Sequence, residues 1–359
     1  MSKGVNDLAD GPNVVIWDIT YACPLRCMHC YSESGRRGSR QVGPDDLLRI
    51  TDAIISLRPR LVTLAGGEPL LVKGVFEVAD RMSRAGISVI VYTGGWTFRP
   101  WMVDELARVC RRVTVSLDGP APEVHDRIRG RAGSFERALR ALELLDAGAH
   151  RQRERGEKAV EFGIDCTVVR GNADHLEAFC TDIAPRFPEL NSVEFCAAVP
   201  SGLASRVGFV ERELLSDEQV AWLESDGLRR RLRSLTPSSV RVATTGNLEL
   251  RMSPAQLAHG PAFRAVQIEP DGQLRAMPIY EGTVGSLLDE PPQVLWERAV
   301  ARWSDPFVTE ALSTAETMQG WADAARRIDY RFGSDADRDR IDRREAFPAV
   351  PVASARAVR

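Results

Sequence analysis

Three of the seven cysteines fall on one short stretch, YACPLRCMHCY from Tyr21 to Tyr31, as Cys23, Cys27 and Cys30. The C-x3-C-x2-C spacing puts three thiols on one loop, where they can converge on a single metal centre. Soft thiolates hold iron–sulfur clusters, and three of them on a four-iron cube leave one iron open to a further ligand. The same cysteines together with His29 also satisfy the ligand chemistry of a tetrahedral zinc site. Core cysteines rarely bunch between a proline and a histidine, so a metal role is the better reading. A second chemical stretch is AGGEPLL from Ala65 to Leu71, where Gly66 and Gly67 make a tight turn that lets the backbone approach a ligand closely.

The loop CPLRCMHC, directly after an apolar strand, resembles the cluster loop of the radical S-adenosylmethionine (radical SAM) superfamily, and AGGEPLL resembles that family's second signature. The resemblance implies one [4Fe–4S] cluster on Cys23, Cys27 and Cys30, with SAM chelating the open iron through its amino and carboxylate groups. Reductive cleavage of SAM would give methionine and a 5′-deoxyadenosyl radical, which removes a hydrogen atom from substrate. It also implies SAM contacts from the backbone at His29 and from Gly66, Gly67, Glu68 and Pro69. Ser116 and Asp118, in SLDG, would bond the ribose or the methionine moiety, and Arg129 would pair the SAM carboxylate. Thr93-Gly94-Gly95 stands where the family has T-N-G, and the missing Asn leaves only Thr93 as a ligand there. Each of these also has a plain structural reading: a glycine turn, a polar strand end that caps a helix, a surface arginine.

These residues need a frame. From Val14 onward six strand-like runs begin at Val14, Leu61, Ile87, Arg112, Val160 and Ser192, separated by helical patterns. Pro44-Asp45-Asp46 opens the first helix, and Ser134 is placed to cap a helix running to Gly148. Alternating strands and helices mean successive βα units and a parallel sheet. Six units fall short of the eight of a closed barrel. The expected α/β fold is therefore a partial (β/α)6 TIM-type barrel over 14–205, as the resemblance also implies. Strand parity aims Asp18, Thr20, Thr114, Ser116, Asp118, Glu161, Asp165, Thr167, Glu194 and Cys196 at the barrel centre. Cys196 and Glu194 are then candidate catalytic residues, Cys196 as a thiol able to return a hydrogen atom to a substrate radical. Cys110, Cys166 and Cys180 read as core.

Residues 206–333 carry a hairpin signal at Pro270-Asp271-Gly272 and a helix near Val294–Trp303. They resemble the smaller α+β SPASM or twitch extension of radical SAM peptide and natural-product enzymes. That extension normally brings a cysteine for an auxiliary cluster; here Ala276 or Met277 stands in its place, and no cysteine follows Cys196. Residues 1–13 are expected to be flexible and 334–359, charge-dense and then rich in Pro and Ala, disordered.

A length of 359 residues suits a large domain with a smaller one, and a net charge of −3 gives no basic footprint for nucleic acid. No apolar run approaches a membrane span and no signal-peptide pattern opens the chain, so a cytoplasmic, reducing location is expected. The first two hundred residues look most like SPASM-bearing peptide maturases of the mycofactocin and haem-d1 type. The substrate would be a ribosomal peptide or other natural product, with a reductant such as flavodoxin or ferredoxin. The alternatives are an aminoglycoside or nucleoside-sugar epimerase, dehydrogenase or decarboxylase, and a metal-binding scaffold without turnover.

Overall fold

Alternation along each strand decides which side is packed. In a computed structural model, which describes residues 11–258 and 264–348, the six expected runs form β1 (Val14–Thr20), β2 (Leu61–Gly66), β3 (Ser88–Thr93), β4 (Arg112–Ser116), β5 (Phe162–Val168) and β6 (Ser192–Ala197). Val15, Trp17 and Ile19, like Val113, Val115 and Leu117, are fully buried beneath the helices, while Val14 and Ile16 face the barrel interior. Two parallel strands join these six: β7 (Arg241–Thr245) beside β6, and β8 (Ala265–Ile268) beside β1. Antiparallel β9 (Gln273–Arg275) and β10 (Thr283–Ser286) complete one open sheet, ordered β10-β9-β8-β1-β2-β3-β4-β5-β6-β7. Both β7 and β8 lie beyond residue 205, so the C-terminal region shares the barrel's sheet.

Helices of eight residues or more, numbered in chain order among the described residues, are α1 (Pro44–Ser56), α2 (Val75–Arg84), α3 (Met102–Val109), α4 (Pro122–Arg129), α5 (Ser134–Glu154), α6 (Asp226–Leu235), α7 (Pro292–Trp303), α8 (Pro306–Ser313), α9 (Met318–Phe332) and α10 (Asp335–Asp342). Each core-facing helix buries an apolar stripe at helical spacing; α2 buries Val75, Val78, Ala79 and Met82. Burying a large apolar side chain contributes about 1.5–3 kcal/mol, so such stripes hold the helical layer on the strands. Ser134 does not cap α5: its hydroxyl donates to Asp126 Oδ1 at 2.8 Å, and Gly133 takes the cap position with φ +78°. The helix runs past Gly148, whose missing side chain leaves room for Val103.

One expectation fails in the tail. Residues 335–342 form α10 rather than disordered chain, because Arg340 and Arg344 pair with buried Glu33 and Arg340 also pairs with Glu281. Residues 1–10 and 349–359 lie outside the described residues.

Candidate active site

The cysteine loop begins at an irregularity. Pairing of β1 with β2 shifts register between Asp18 and Thr20, and a bulge at such a point re-aims the chain that follows. The backbone of the loop is then tied to α4 and to the turn after β6. Arg26 N donates to Arg129 O at 3.0 Å, Met28 N to Ile128 O at 2.9 Å, and Leu203 N to Cys30 O at 3.0 Å. Cys23, Cys27 and Cys30 all line one cavity of about 430 Å³. Burial, with Cys27 nearby, pushes the Cys23 thiol up to about 12; burial pushes Cys27 up to about 11 against the pull of Arg129. Thiolates at these positions need positive charge beside them, which a metal centre supplies. Three soft donors on one cavity wall fit an iron–sulfur cluster. Among the described residues no three His, Cys, Asp or Glu side chains gather around a point suited to a single ion.

Asp118 holds this loop in place and does not face the cavity. It is fully buried, its carboxylate accepts from Arg129 Nη2 at 2.8 Å, from His29 Nε2 at 3.1 Å and from Thr167 N at 3.0 Å, and Arg129 Nε lies 2.6 Å away as an ion-pair contact. Its main-chain N–H donates to His125 Nδ1, and its C=O accepts from Asn172 Nδ2. Burial works against the charged form, but Arg129 and His29 outweigh it and hold the carboxyl well below its ordinary range. Buried and off the cavity wall, Asp118 is turned to the loop and not to ribose or methionine, the contact expected of it. Arg129 does line the cavity, yet its fork is bound to Asp118, and Nη1 lies 3.8 Å from Cys27 Sγ. Its charge therefore falls beside a cysteine of the loop. The His29 imidazole points to Asp118, away from any role limited to its backbone.

The GGEP turn meets the loop from the other side. Gly66 has φ +98°, and a Cβ at Gly67 would sit 2.1 Å from Ala22 O, so the glycines are needed for contact with the loop itself. Gly67 N donates to Thr20 O at 2.7 Å and Glu68 N to Ala22 O at 2.9 Å. The buried Glu68 carboxylate accepts from Thr93 Oγ1 at 2.9 and 3.0 Å, Gly94 N at 3.0 Å and Leu70 N at 3.3 Å. Burial nevertheless raises it to about 7. Gly66, Gly67, Glu68, Thr93 and Ser116 line the cavity, whereas Pro69 is buried as the first residue of a short 3-10 turn.

The same cavity is also lined by residues the motifs did not mark, Ala197, Ala198, Val199, Leu250 and Ile279 as an apolar wall, together with Asp165, Thr167 and Cys196. The Cys196 thiol donates to Asp165 Oδ1 at 3.2 Å, and burial pushes the thiol well above its ordinary value and Asp165 up to about 6. Glu194 is not part of this wall. It sits two residues earlier on β6, bonded to Arg112 Nη1 at 2.8 Å and to Arg241, and its charge is spent there; the catalytic expectation for it is corrected. Tyr31 and Gln267, both on the cavity, donate to buried Asp18 at 2.7 and 2.6 Å. Strand parity pointed to Asp165, but Asn247 and Leu250 come from a stretch with no readable periodicity, and Gln267 from a run legible only as one arm of a hairpin.

The sequence pattern of the Radical SAM superfamily matches residues 17–150, a span holding the cysteine loop, the GGEP turn, SLDG and Arg129. A mycofactocin maturase, MftC, of Mycobacterium ulcerans (strain Agy99) is 32% identical over 224 residues, 61% of this chain and 57% of its own. An AdoMet-dependent heme synthase of Methanosarcina barkeri (strain Fusaro / DSM 804) is 34% identical over 140 residues, 38% of this chain and 40% of its own. The chain thus spans about half the length of these curated relatives. Among solved structures, Streptococcus suis SuiB bound to S-adenosylmethionine superposes with a TM-score of 0.59 at 16% identity, covering 83% of this chain and 67% of that one. Native anSMEcpe with bound AdoMet gives 0.56 at 18% identity, covering 81% and 82%. At such identities these two likenesses speak for the fold. Loop, turn and barrel agree with the sequence match, and residues 17–150 carry a radical SAM domain.

Proposed function

We propose that this chain abstracts a hydrogen atom from an unactivated C–H bond of a ribosomal peptide or other natural product, using one [4Fe–4S] cluster and SAM. The observation that carries this is the single cavity on which the three cysteines, the GGEP turn and an apolar wall converge. When bound, the cluster supplies the electron that cleaves SAM. The protein's part is positional. Cys23, Cys27 and Cys30 would hold the cluster, Asp118 and Arg129 brace their loop, and Glu68, Gly66, Gly67, Thr93 and Ser116 form the SAM side. Residues 14–205 then carry the cofactor side, and 206–333 cover the cavity through Asn247, Leu250, Gln267 and Ile279.

The covering wall supports an apolar group at the reacting position over a polyhydroxylated sugar, whose hydroxyls would go unpaired there. The maturase relatives, and the structure of SuiB bound to precursor peptide SuiA, support a peptide. A single cluster is supported by the site where an auxiliary cysteine would stand. Ala276 and Met277 are buried in the core there, and Trp303 Nε1 donates to Ala276 O at 2.8 Å. Cys196, kept as a neutral thiol by burial and oriented by Asp165, would return a hydrogen atom to the substrate radical, and the thiyl radical left behind would take one electron from the external reductant and a proton to restore the thiol.

Anoxic reconstitution should give about four irons and four sulfides per chain, in keeping with a single cube. Dithionite and SAM should then yield 5′-deoxyadenosine, and a candidate peptide in deuterated solvent should gain deuterium at carbon. The Cys196→Ala variant should still form 5′-deoxyadenosine but lose that deuterium. A tightly held zinc ion in place of iron, or no 5′-deoxyadenosine at all, would overturn the proposal.

A further inference from the structure

Arg129 closes α4 where that helix meets the cysteine loop, and its backbone and side chain are put to different uses. Its C=O accepts from Arg26 N at 3.0 Å. Gly130 follows with φ +67°, and a Cβ there would fall 2.3 Å from Arg26 O, so glycine is what lets the helix end lie against the loop. The side chain is buried. Its Nη2 donates to Asp118 Oδ1 at 2.8 Å and its Nε lies 2.6 Å from Oδ2, so the carboxylate takes one edge of the guanidinium. Nη1, at the other end of the fork, donates to Cys27 Sγ at 3.8 Å. Asp118 is itself held by His29 Nε2 and Thr167 N, and the guanidinium is therefore positioned independently of the sulfur it reaches. Cys30 Sγ, by contrast, meets the neutral Ser32 Oγ at 3.5 Å, and among the described residues no other cation bonds to a sulfur of the loop. Nor does its partner cancel the charge: Arg129 pulls the Cys27 thiol down more strongly than Asp118 pushes it up.

We infer that Arg129 sets the reduction potential of the centre on the cysteines, raising it through a charge-assisted N–H···S bond to Cys27 that Asp118 holds in place. The inference rests on the reading that Cys23, Cys27 and Cys30 bind an iron–sulfur cluster. Hydrogen bonds to the ligand sulfurs, nearby charge and burial are the levers by which a protein moves such a potential. One-electron reduction adds a negative charge to the centre, and a buried cation beside it favours the more negative state. Arg129 acts through Cys27 and is a positioning residue in that sense. The rival account makes it a mechanical brace and nothing more. The two accounts differ in sign. Loss of a brace disturbs the loop in the same way whichever partner is removed, whereas removing a cation and removing its counter-anion shift a potential in opposite directions.

Potentiometric titration of the reconstituted full chain with dithionite, followed by electron paramagnetic resonance in the absence of SAM, reads the ratio of reduced to oxidised centre. At the wild-type midpoint Arg129→Met should lower that ratio about tenfold, equivalent to about 59 mV for one electron. Asp118→Asn, which keeps the shape of the side chain and removes the opposing charge, should raise the ratio by a smaller factor. Arg129→Lys, with the charge but not the planar fork, should fall between Arg129→Met and wild type. The inference is overturned if Arg129→Met and Asp118→Asn move the ratio in the same direction, or if neither moves it. Should Arg129→Met take up no iron, Asp118→Asn decides alone: a ratio above that of wild type sustains the inference, and one at or below it does not. A wild-type chain that takes up no iron removes the cluster reading and this inference together. A loaded wild type whose potential both substitutions leave unmoved removes this inference and keeps that reading.

Discussion

Glu68 and Asp118 are both buried carboxylates beside the cysteine loop, and their surroundings push them in opposite directions. Asp118 faces a guanidinium and stays ionised; Glu68 faces only neutral donors, and burial raises it from 4.5 to about 7. Between those two values the folded chain keeps a proton that the unfolded chain has released. The contribution of Glu68 is therefore full below pH 4.5 and is lost as pH rises through 7, a fall of roughly 3 kcal/mol for a shift of that size. Denaturant midpoints of the apo protein measured from pH 5 to 8 should show a downward slope in wild type that Glu68→Gln makes shallower, the rest coming from Asp18, Asp165 and Asp329, which burial also raises. Parallel curves for the two proteins would contradict the assignment. Both residues were visible in the sequence, as members of GGEP and SLDG. What the sequence did not tell is that Asp118 serves the loop instead of a ligand, because Arg129, His29, Thr167 and Asn172 reach it from four separate segments.

The elements around the site divide by how local their signals are. β1 to β6 were legible because alternation is a property of a few consecutive residues, as was the hairpin at Pro270-Asp271-Gly272, which joins β8 to β9. β7, read RVATT, was not, since a short edge strand with one exposed end carries too little pattern. The end of α5 was misjudged at Gly148, where a tertiary contact with Val103 overrides the usual meaning of glycine. The GGEP turn shows the same override in a form that can be tested. Its second glycine abuts the main chain at Ala22, one residue before Cys23, and backbone there cannot yield as a side-chain tip would. Gly67→Ala should cost about 3 kcal/mol, at the upper end for overpacking, and should weaken SAM binding along with it. Gly38→Ala, where nothing lies within 4 Å of the added methyl, should stay within about 0.5 kcal/mol of wild type. Denaturation and a SAM titration of both variants check this, and equal behaviour of the two would refute it.

Across the described residues, a chain of buried and half-buried ion pairs connects the segment after the cysteine loop to α10 and the residues following it. Arg40 pairs with Glu269 and Asp271, fully buried Arg275 with Glu269 at 2.7 Å and Glu281 at 2.6 Å, and Arg340 spans Glu281 and Glu33. Partners such as Glu33 and Arg344 stand 311 positions apart, so a charge-dense tail looked merely solvated in sequence. Burial would raise Glu33, but Arg344 and Arg340 outweigh it and keep its carboxyl low. Deleting 334–359 removes both arginines at once and strands a carboxylate that is only 5% exposed. Breaking a buried pair from one side costs about 3–5 kcal/mol, and here part of that is recovered if the loop swings Glu33 into water. The relief predicts where the damage appears. Amide hydrogen exchange should quicken at least about tenfold over residues 31–40 in the truncated chain, as local opening replaces a buried charge. Exchange over β2 to β4, which α10 does not touch, should hold near its full-length rate. Glu33→Gln in the full chain should reproduce part of the effect, and adding it to the truncation should change little, because both act on one interaction. Uniform acceleration along the chain would mean that the tail stabilises the fold at large; no acceleration at 31–40 would mean that the ion pairs do not hold the loop.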